Sequence, residues 1–181
     1  MHLFYVFCIV NILSSVACGN ELRHRFSVDI SEGKHGGEAW LVAVGNEGGA
    51  RIVLVAQGND LARRFSYETE AAPTESSIIV VEISRRSFTL CLISRDRIGK
   101  WTVVGRYNPS ELMMKELKRL RLLSKNESIT ETAFSTYSWT DDAHFKIDCS
   151  GTIDGSPGGT ADCAITLDLK KPRSPSVQIG R

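Results

Sequence analysis

The chain has 181 residues, with 22 Lys and Arg against 21 Asp and Glu, for a formal net charge of +1 at pH 7. That length suits one ordinary domain with a single substantial core, and so even a balance supplies no global field to draw in nucleic acid or an anionic membrane. No internal repeat is visible.

From Met1 to Ala17 there is no acidic residue and no Lys or Arg. The apolar core of about a dozen residues is shorter than the roughly 20 that a membrane-spanning helix needs. Ser15-Val16-Ala17 and Ala17-Cys18-Gly19 both fit the small-x-small rule for cleavage, so residues 1–19 read as a secretory signal peptide, cleaved after Ala17 or after Gly19. Two other readings fit these residues less well. A retained N-terminal anchor is opposed by the short apolar run and by the lack of a basic cluster after it. A lipoprotein modified at Cys18 is opposed by Ser15 in the place of the usual Leu and by the lack of Lys or Arg before the apolar core. The expected location is therefore extracellular, with no membrane span once the leader is removed.

Cys8 leaves with the leader, so the mature chain keeps Cys91, Cys149 and Cys163, plus Cys18 if cleavage falls before it. In the latter case Cys18 is a candidate partner for Cys91. Cys91 lies inside the apolar strand pattern from Ser87 to Ile93 and reads as a buried, inert thiol.

Phe26, Val28 and Ile30 alternate with polar residues, and apolar runs follow from Ala39 to Val44 and from Ile52 to Ala56, separated by glycine-rich turns. This is a β-meander pattern. Further runs from Ile78 to Ile83, Phe88 to Ile93 and Trp101 to Tyr107 extend the sheet, with Ser84-Arg85-Arg86-Ser87 joining the first two. Several of these strands are apolar on both faces, which predicts a sheet covered on both sides by a second sheet or a helix. Gly99-Lys100-Trp101 resembles the Gly-x-Trp opening of lipocalins. There the motif lies on the first strand of an eight-stranded barrel, whereas here only about 80 residues follow it, including a helix, so Trp101 reads as a core residue at the start of a strand.

One principal helix is predicted from about Pro109 to Lys125. Asn108 caps it, Pro109 suits its first position, and Glu111 completes a start resembling a capping box. Leu112, Met113, Leu117, Leu120 and Leu123 form its apolar stripe, with Lys115, Lys118, Arg119 and Lys125 largely away from it. Asn126-Glu127-Ser128 is a glycosylation sequon in the expected connection to a strand over 130–139.

Cys149 and Cys163 sit symmetrically about Ser156, within the turn-forming run from Asp154 to Gly159. Folding there pairs Cys149 with Cys163, Ile147 with Ile165 and Phe145 with Leu167 on one face. Lys146, Asp148, Ser150, Asp162, Thr166 and Asp168 fall on the other. A slip of one residue would invert the division, so the register is specified and a disulfide is expected. The segment 172–181 has the composition of a disordered tail. The expected fold is a single α+β domain over 20–171 with about seven to ten antiparallel strands, one principal helix and a disulfide-stapled C-terminal hairpin. An all-β sandwich carrying one helix is the close alternative.

No metal or cofactor is expected. His24, His35 and His144 are scattered, and there is no Walker loop, Gly-x-Ser-x-Gly elbow or dinucleotide fingerprint. Three functional classes remain. A ribonuclease-like hydrolase would use Asp141, Asp142 and His144 as catalytic residues, with Glu82, Arg85 or Arg86 nearby. A small-ligand carrier would line an apolar cavity with Trp40, Trp101 or Trp139. By elimination, the leading expectation is a secreted, non-enzymatic recognition module, such as an effector or immune-modulating factor binding a host protein. Its candidate contacts are Arg63, Arg64, Phe65 and Tyr67, and the basic helix residues Lys115, Lys118 and Arg119.

Overall fold

A computed structural model of the chain describes residues 25–33, 36–44, 50–155 and 159–180. The signal-peptide reading of 1–19, Cys18, His24 and His35 lie outside the described residues, as do the turn at 45–49 and the hairpin tip at 156–158. The described chain is mostly antiparallel β-sheet with few helices, compatible with one β-rich domain. The order is β1 (Arg25–Gly33), β2 (Gly36–Val44), β3 (Ala50–Gly58), α1 (Leu61–Arg64), β4 (Ser66–Ala71), β5 (Ser77–Ile83), β6 (Phe88–Arg95), β7 (Trp101–Tyr107), α2 (Pro109–Arg119), β8 (Ser128–Trp139), β9 (His144–Asp154), β10 (Thr160–Asp168) and β11 (Ser176–Ile179). The strands form three sheets, ordered β1-β2-β3, β4-β5-β6-β7 and β11-β10-β9-β8.

The middle sheet explains the runs that are apolar on both faces. Successive side chains of a strand point to opposite faces, so β5 and β6 feed two cores at once. Ile78, Val80, Cys91 and Ile93 pack against Ala39, Leu41 and Val55 of the first sheet and Leu61 of α1. Ile79, Val81, Phe88, Leu90 and Leu92 pack against Phe145, Ile147, Ile165 and Leu167 of the third sheet and Met113 and Leu117 of α2. Each such side chain contributes about 1.5–3 kcal/mol by leaving water. A bulge opposite Leu92/Ile93 lets β7 serve both cores, since Val103 pairs with Ile93 and Tyr107 with Leu90.

The first two sheets form a sandwich whose open seams are bridged by side chains. Thr69 Oγ1 donates to the Phe26 carbonyl at 2.9 Å, joining β4 to β1. The Arg106 guanidinium donates to the Val55 carbonyl, joining β7 to β3. On the other side, β8 is tied to β4 by Tyr137 OH donating to Glu68 at 2.7 Å and by Trp139 Nε1 donating to the Glu70 carbonyl at 3.1 Å.

The helix α2 begins as its sequence dictates. Asn108 Oδ1 accepts the Ser110 N–H at 3.0 Å, and Asn108 Nδ2 donates to Glu111 at 3.3 Å. It ends earlier than the predicted Lys125, at Arg119, because Arg121 takes a left-handed conformation (φ 58). The N–H groups of Arg121 and Leu122 then close back onto the Lys118 and Leu117 carbonyls at 3.1 and 2.9 Å, a Schellman ending. Leu120 is consequently exposed and not part of the buried stripe, while Met113, Leu117 and Leu123 are buried and Leu112 is half-buried. Gly151 of β9 permits the helix to lie close on the sheet: a Cβ there would come within 2.9 Å of Met113 Cε and 3.0 Å of Ile129 Cγ2.

The C-terminal hairpin has the predicted register, with Cys149 opposite Cys163, Ile147 opposite Ile165 and Phe145 opposite Leu167. The tail expected to be disordered is corrected: Ser176–Ile179 forms β11 on β10, with Ile179 opposite Cys163 and Val177 opposite Ile165. Those two apolar side chains pack against the larger core and hold the segment in place. This strand and β4 are the additions to the sequence-based list of elements, together with the single turn α1. Among the described residues, no helix is long and apolar enough to cross a membrane.

Candidate functional site

The predicted acid-base residues meet in part, at the β8–β9 turn. Asp141 accepts the backbone N–H groups of Ala143 and His144 at 2.7 and 2.9 Å, which curls the turn and brings His144 Nδ1 to 2.8 Å from Asp141 Oδ2. These contacts hold the Asp141 carboxyl below its ordinary range, first through the Ala143 N–H and then through the His144 ring. His144 Nε2 lies 4.0 Å from Asp168, so a carboxylate faces each ring nitrogen. Asp142 turns elsewhere and accepts the Thr74 N–H at 3.0 Å. Arg86 is likewise apart, 3.6 Å from Glu131. None of the residues His144, Asp141 and Asp142 lines either of the two surface depressions described below. The geometry is that of a turn-stabilising Asx motif with an attached histidine.

The segment from Arg63 to Tyr67 spans the end of α1 and the start of β4, and its aromatic residues turn inward. Phe65 and Tyr67 pack against the core between the first two sheets. Tyr67 OH donates to Glu82 at 3.2 Å, and its pKa is pushed up by burial first and then by the Glu82 charge. Arg63 and Arg64 stay exposed, Arg64 with its guanidinium 5.2 Å from the Phe65 ring. On α2, Lys115, Lys118 and Arg119 are all exposed. Arg119 grips Glu116 with Nε and Nη2 at 2.8 and 2.5 Å.

The three tryptophans do not share a cavity. Trp101 stacks edge-on to Phe26 at 5.8 Å at the rim of the first sandwich. Trp139 packs on Phe145 at 5.5 Å beside the seam between β8 and β4. Trp40 is different: its neighbours Ala39 and Leu41 point into the core, whereas Trp40 lies on the outer face of the first sheet and is only half-buried. Register places it between Asp29 on β1 and Leu54 on β3. The Arg51 guanidinium lies 5.5 Å from its ring and 3.6 Å from Asp29. Trp40 Nε1 and Gln57 Nε2 donate to the two oxygens of Glu38 at 2.9 and 3.1 Å, which lower the Glu38 pKa in that order. Only the small-ligand-carrier alternative gave Trp40 a role, as one of three tryptophans that could line a cavity. The run from Ala39 to Val44 is apolar throughout, so its periodicity alone could not say which residues face out.

Cys149 and Cys163 lie with their sulfurs 3.2 Å apart, both buried. A bond requires about 2.05 Å, so the two are in contact as thiols. The contact with Cys149, and then burial, push the Cys163 thiol up. They line a depression of about 440 Å³ together with Asp148, Asp162, Ser135 and Gln178. A second depression, of about 330 Å³, lies between Val104, Leu112, Pro172 and Pro175. Cys91 is fully buried, and burial pushes its thiol up to about 11, which makes it inert at neutral pH. Asn126 of the sequon is exposed in the turn between α2 and β8. Among the described residues, no group of three or more His, Cys, Asp or Glu is placed to hold a metal ion. Compared with protein-family models, curated proteins and solved structures, the chain matches none.

Proposed function

We propose that this chain is a secreted, non-enzymatic recognition module that binds a host protein through the outer face of the β1–β3 sheet, centred on Trp40. The observation that carries the reading is the half-buried Trp40 itself. It belongs to neither core, it is braced by Arg51 and Glu38, and it is bordered by Leu54. Trp and Arg are the residue types that concentrate binding energy in protein interfaces, and side chains already held in place lose little freedom on binding. Secretion rests on the leader-like residues 1–19, and an exposed Asn126 is a fitting glycosylation acceptor. In an oxidising compartment Cys149 and Cys163 close as a disulfide, supported by their direct pairing across β9 and β10.

The test is affinity capture from neighbouring tissue with wild type and Trp40→Ala as parallel baits. The expected result is a saturable protein partner whose affinity falls about thirtyfold in the variant while melting is unchanged. Equal retention by both baits removes the surface assignment, and no partner for either overturns the recognition reading. The hydrolase alternative has one favourable observation, the His144 to Asp141 contact of 2.8 Å. It stands only if purified protein cleaves RNA and His144→Ala abolishes that activity.

A further inference from the structure

Although the whole chain carries a net charge of only +1, its cations are unevenly spread. Between Lys115 and Lys125 stand Lys115, Lys118, Arg119, Arg121 and Lys125, against Glu116 alone. All five cations are exposed, and Glu116 is already engaged by Arg119. The Schellman ending of α2 sorts the leucines in the same stretch. Leu117 and Leu123 enter the core at 2% and 9% exposure, while Leu120 and Leu122 are left outside at 41% and 59%. The result is a pair of exposed aliphatic side chains on either side of Arg121, set among like charges.

We propose that this helix end docks on an anionic phospholipid surface, with Leu120 and Leu122 entering the boundary between headgroups and acyl chains and the surrounding cations lying against lipid phosphates. The composition favours a bilayer over other acidic partners. Single-stranded nucleic acid calls for aromatic stacking platforms, which this stretch lacks. Protein hot spots favour Trp, Tyr and Arg and under-use Leu. Aliphatic groups ringed by Lys and Arg match the layered chemistry of a membrane interface, whose attraction adds up cation by cation. Charge elsewhere on the protein matters little, because fields in physiological salt fade over about 8 Å.

The experiment is co-sedimentation of the full chain with phosphatidylcholine vesicles, with and without phosphatidylserine. Binding is expected only with phosphatidylserine and weakens with added salt. Lys118→Glu/Arg121→Glu is expected to reduce it by more than about twentyfold, at roughly fivefold for each cation lost. Leu120→Ser/Leu122→Ser is also expected to reduce it, and both side chains are exposed, so an unchanged circular dichroism melt confirms the fold. Trp40→Ala leaves vesicle binding intact, which separates this surface from the recognition surface. The proposal is overturned by equal binding to both vesicle types, by indifference to either double variant, by binding confined to Asn126→Gln, or by retention on an acidic polypeptide without vesicle binding.

Discussion

Arg121 holds a conformation that L-residues with a side chain adopt at a cost, because its Cβ crowds the neighbouring carbonyl. Arg121→Gly is therefore expected to raise stability by about 0.5–1 kcal/mol in chemical denaturation, even after the extra freedom glycine gains when unfolded. The same variant should weaken vesicle binding, since it removes a cation from the docking surface. Thr132 presents a second local conflict: its Oγ1 is buried with no hydrogen-bond partner. Thr132→Val replaces that hydroxyl with a methyl group and is expected to stabilise by about 1 kcal/mol. At the β8–β9 turn, Asp141 is depressed in the folded state by its hydrogen bonds. Its contribution is present above the unfolded pKa and is lost as pH falls through the lower folded one. Glu70, raised by burial, acts in the opposite sense, lending stability at low pH that is lost as pH rises through its elevated value. Thermal melts from about pH 2 to 5 should thus show a shallower acid loss for Asp141→Asn than for wild type, and a steeper one for Glu70→Gln.

The C-terminal hairpin was the most legible element, because its register could be checked against two independent patterns. Cysteine symmetry about Ser156 and strict alternation of apolar and polar residues give the same pairing, and the strands adopt it. With Cys149 and Cys163 oxidised, reduction or Cys149→Ser/Cys163→Ser is expected to cost about 3 kcal/mol in a urea titration, the value for closing a loop of roughly 15 residues. An identical midpoint with and without reductant would show that the thiols never close. The start of α2 was equally legible, since Asn108 and Pro109 act through their own backbone and their nearest neighbours. Its end was not, because the stop residue is Arg121, where a reader of sequence looks for glycine. β4 was missed for a related reason: Glu68 and Glu70 make polar the face it turns to the third sheet, where β8 supplies Tyr137 OH for the Glu68 carboxylate and Trp139 Nε1 for the Glu70 carbonyl.

At the scale of the molecule, the middle sheet is buried on both faces while the first sheet is covered on one. The larger core lies between the middle and third sheets, and the first sheet's attachment rests on the smaller core and its two seams. Amide exchange should therefore be slowest in β5, β6 and β9 and markedly faster in β1 to β3. Leu41→Ala, which empties the smaller core at a cost of about 2–5 kcal/mol, is expected to accelerate exchange in the first sheet while leaving β9 and β10 protected. Uniform acceleration across all three sheets would mean that the sheets unfold as one unit. If the first sheet does open separately, the Trp40 surface rides on the least stable layer.

The sequence by itself determined the β-rich class, most strand positions, the start of the helix and the hairpin register. Each depends on alternation, capping or turn chemistry that acts over a few residues. Tertiary structure alone decided that a run apolar on both faces becomes a middle layer, that residues past Pro172 return as β11, that Phe65 and Tyr67 face inward and that Trp40 faces out. Those outcomes depend on which surface arrives from a distant part of the chain to cover each side chain, and burial is a property of the pair of surfaces that local pattern cannot contain.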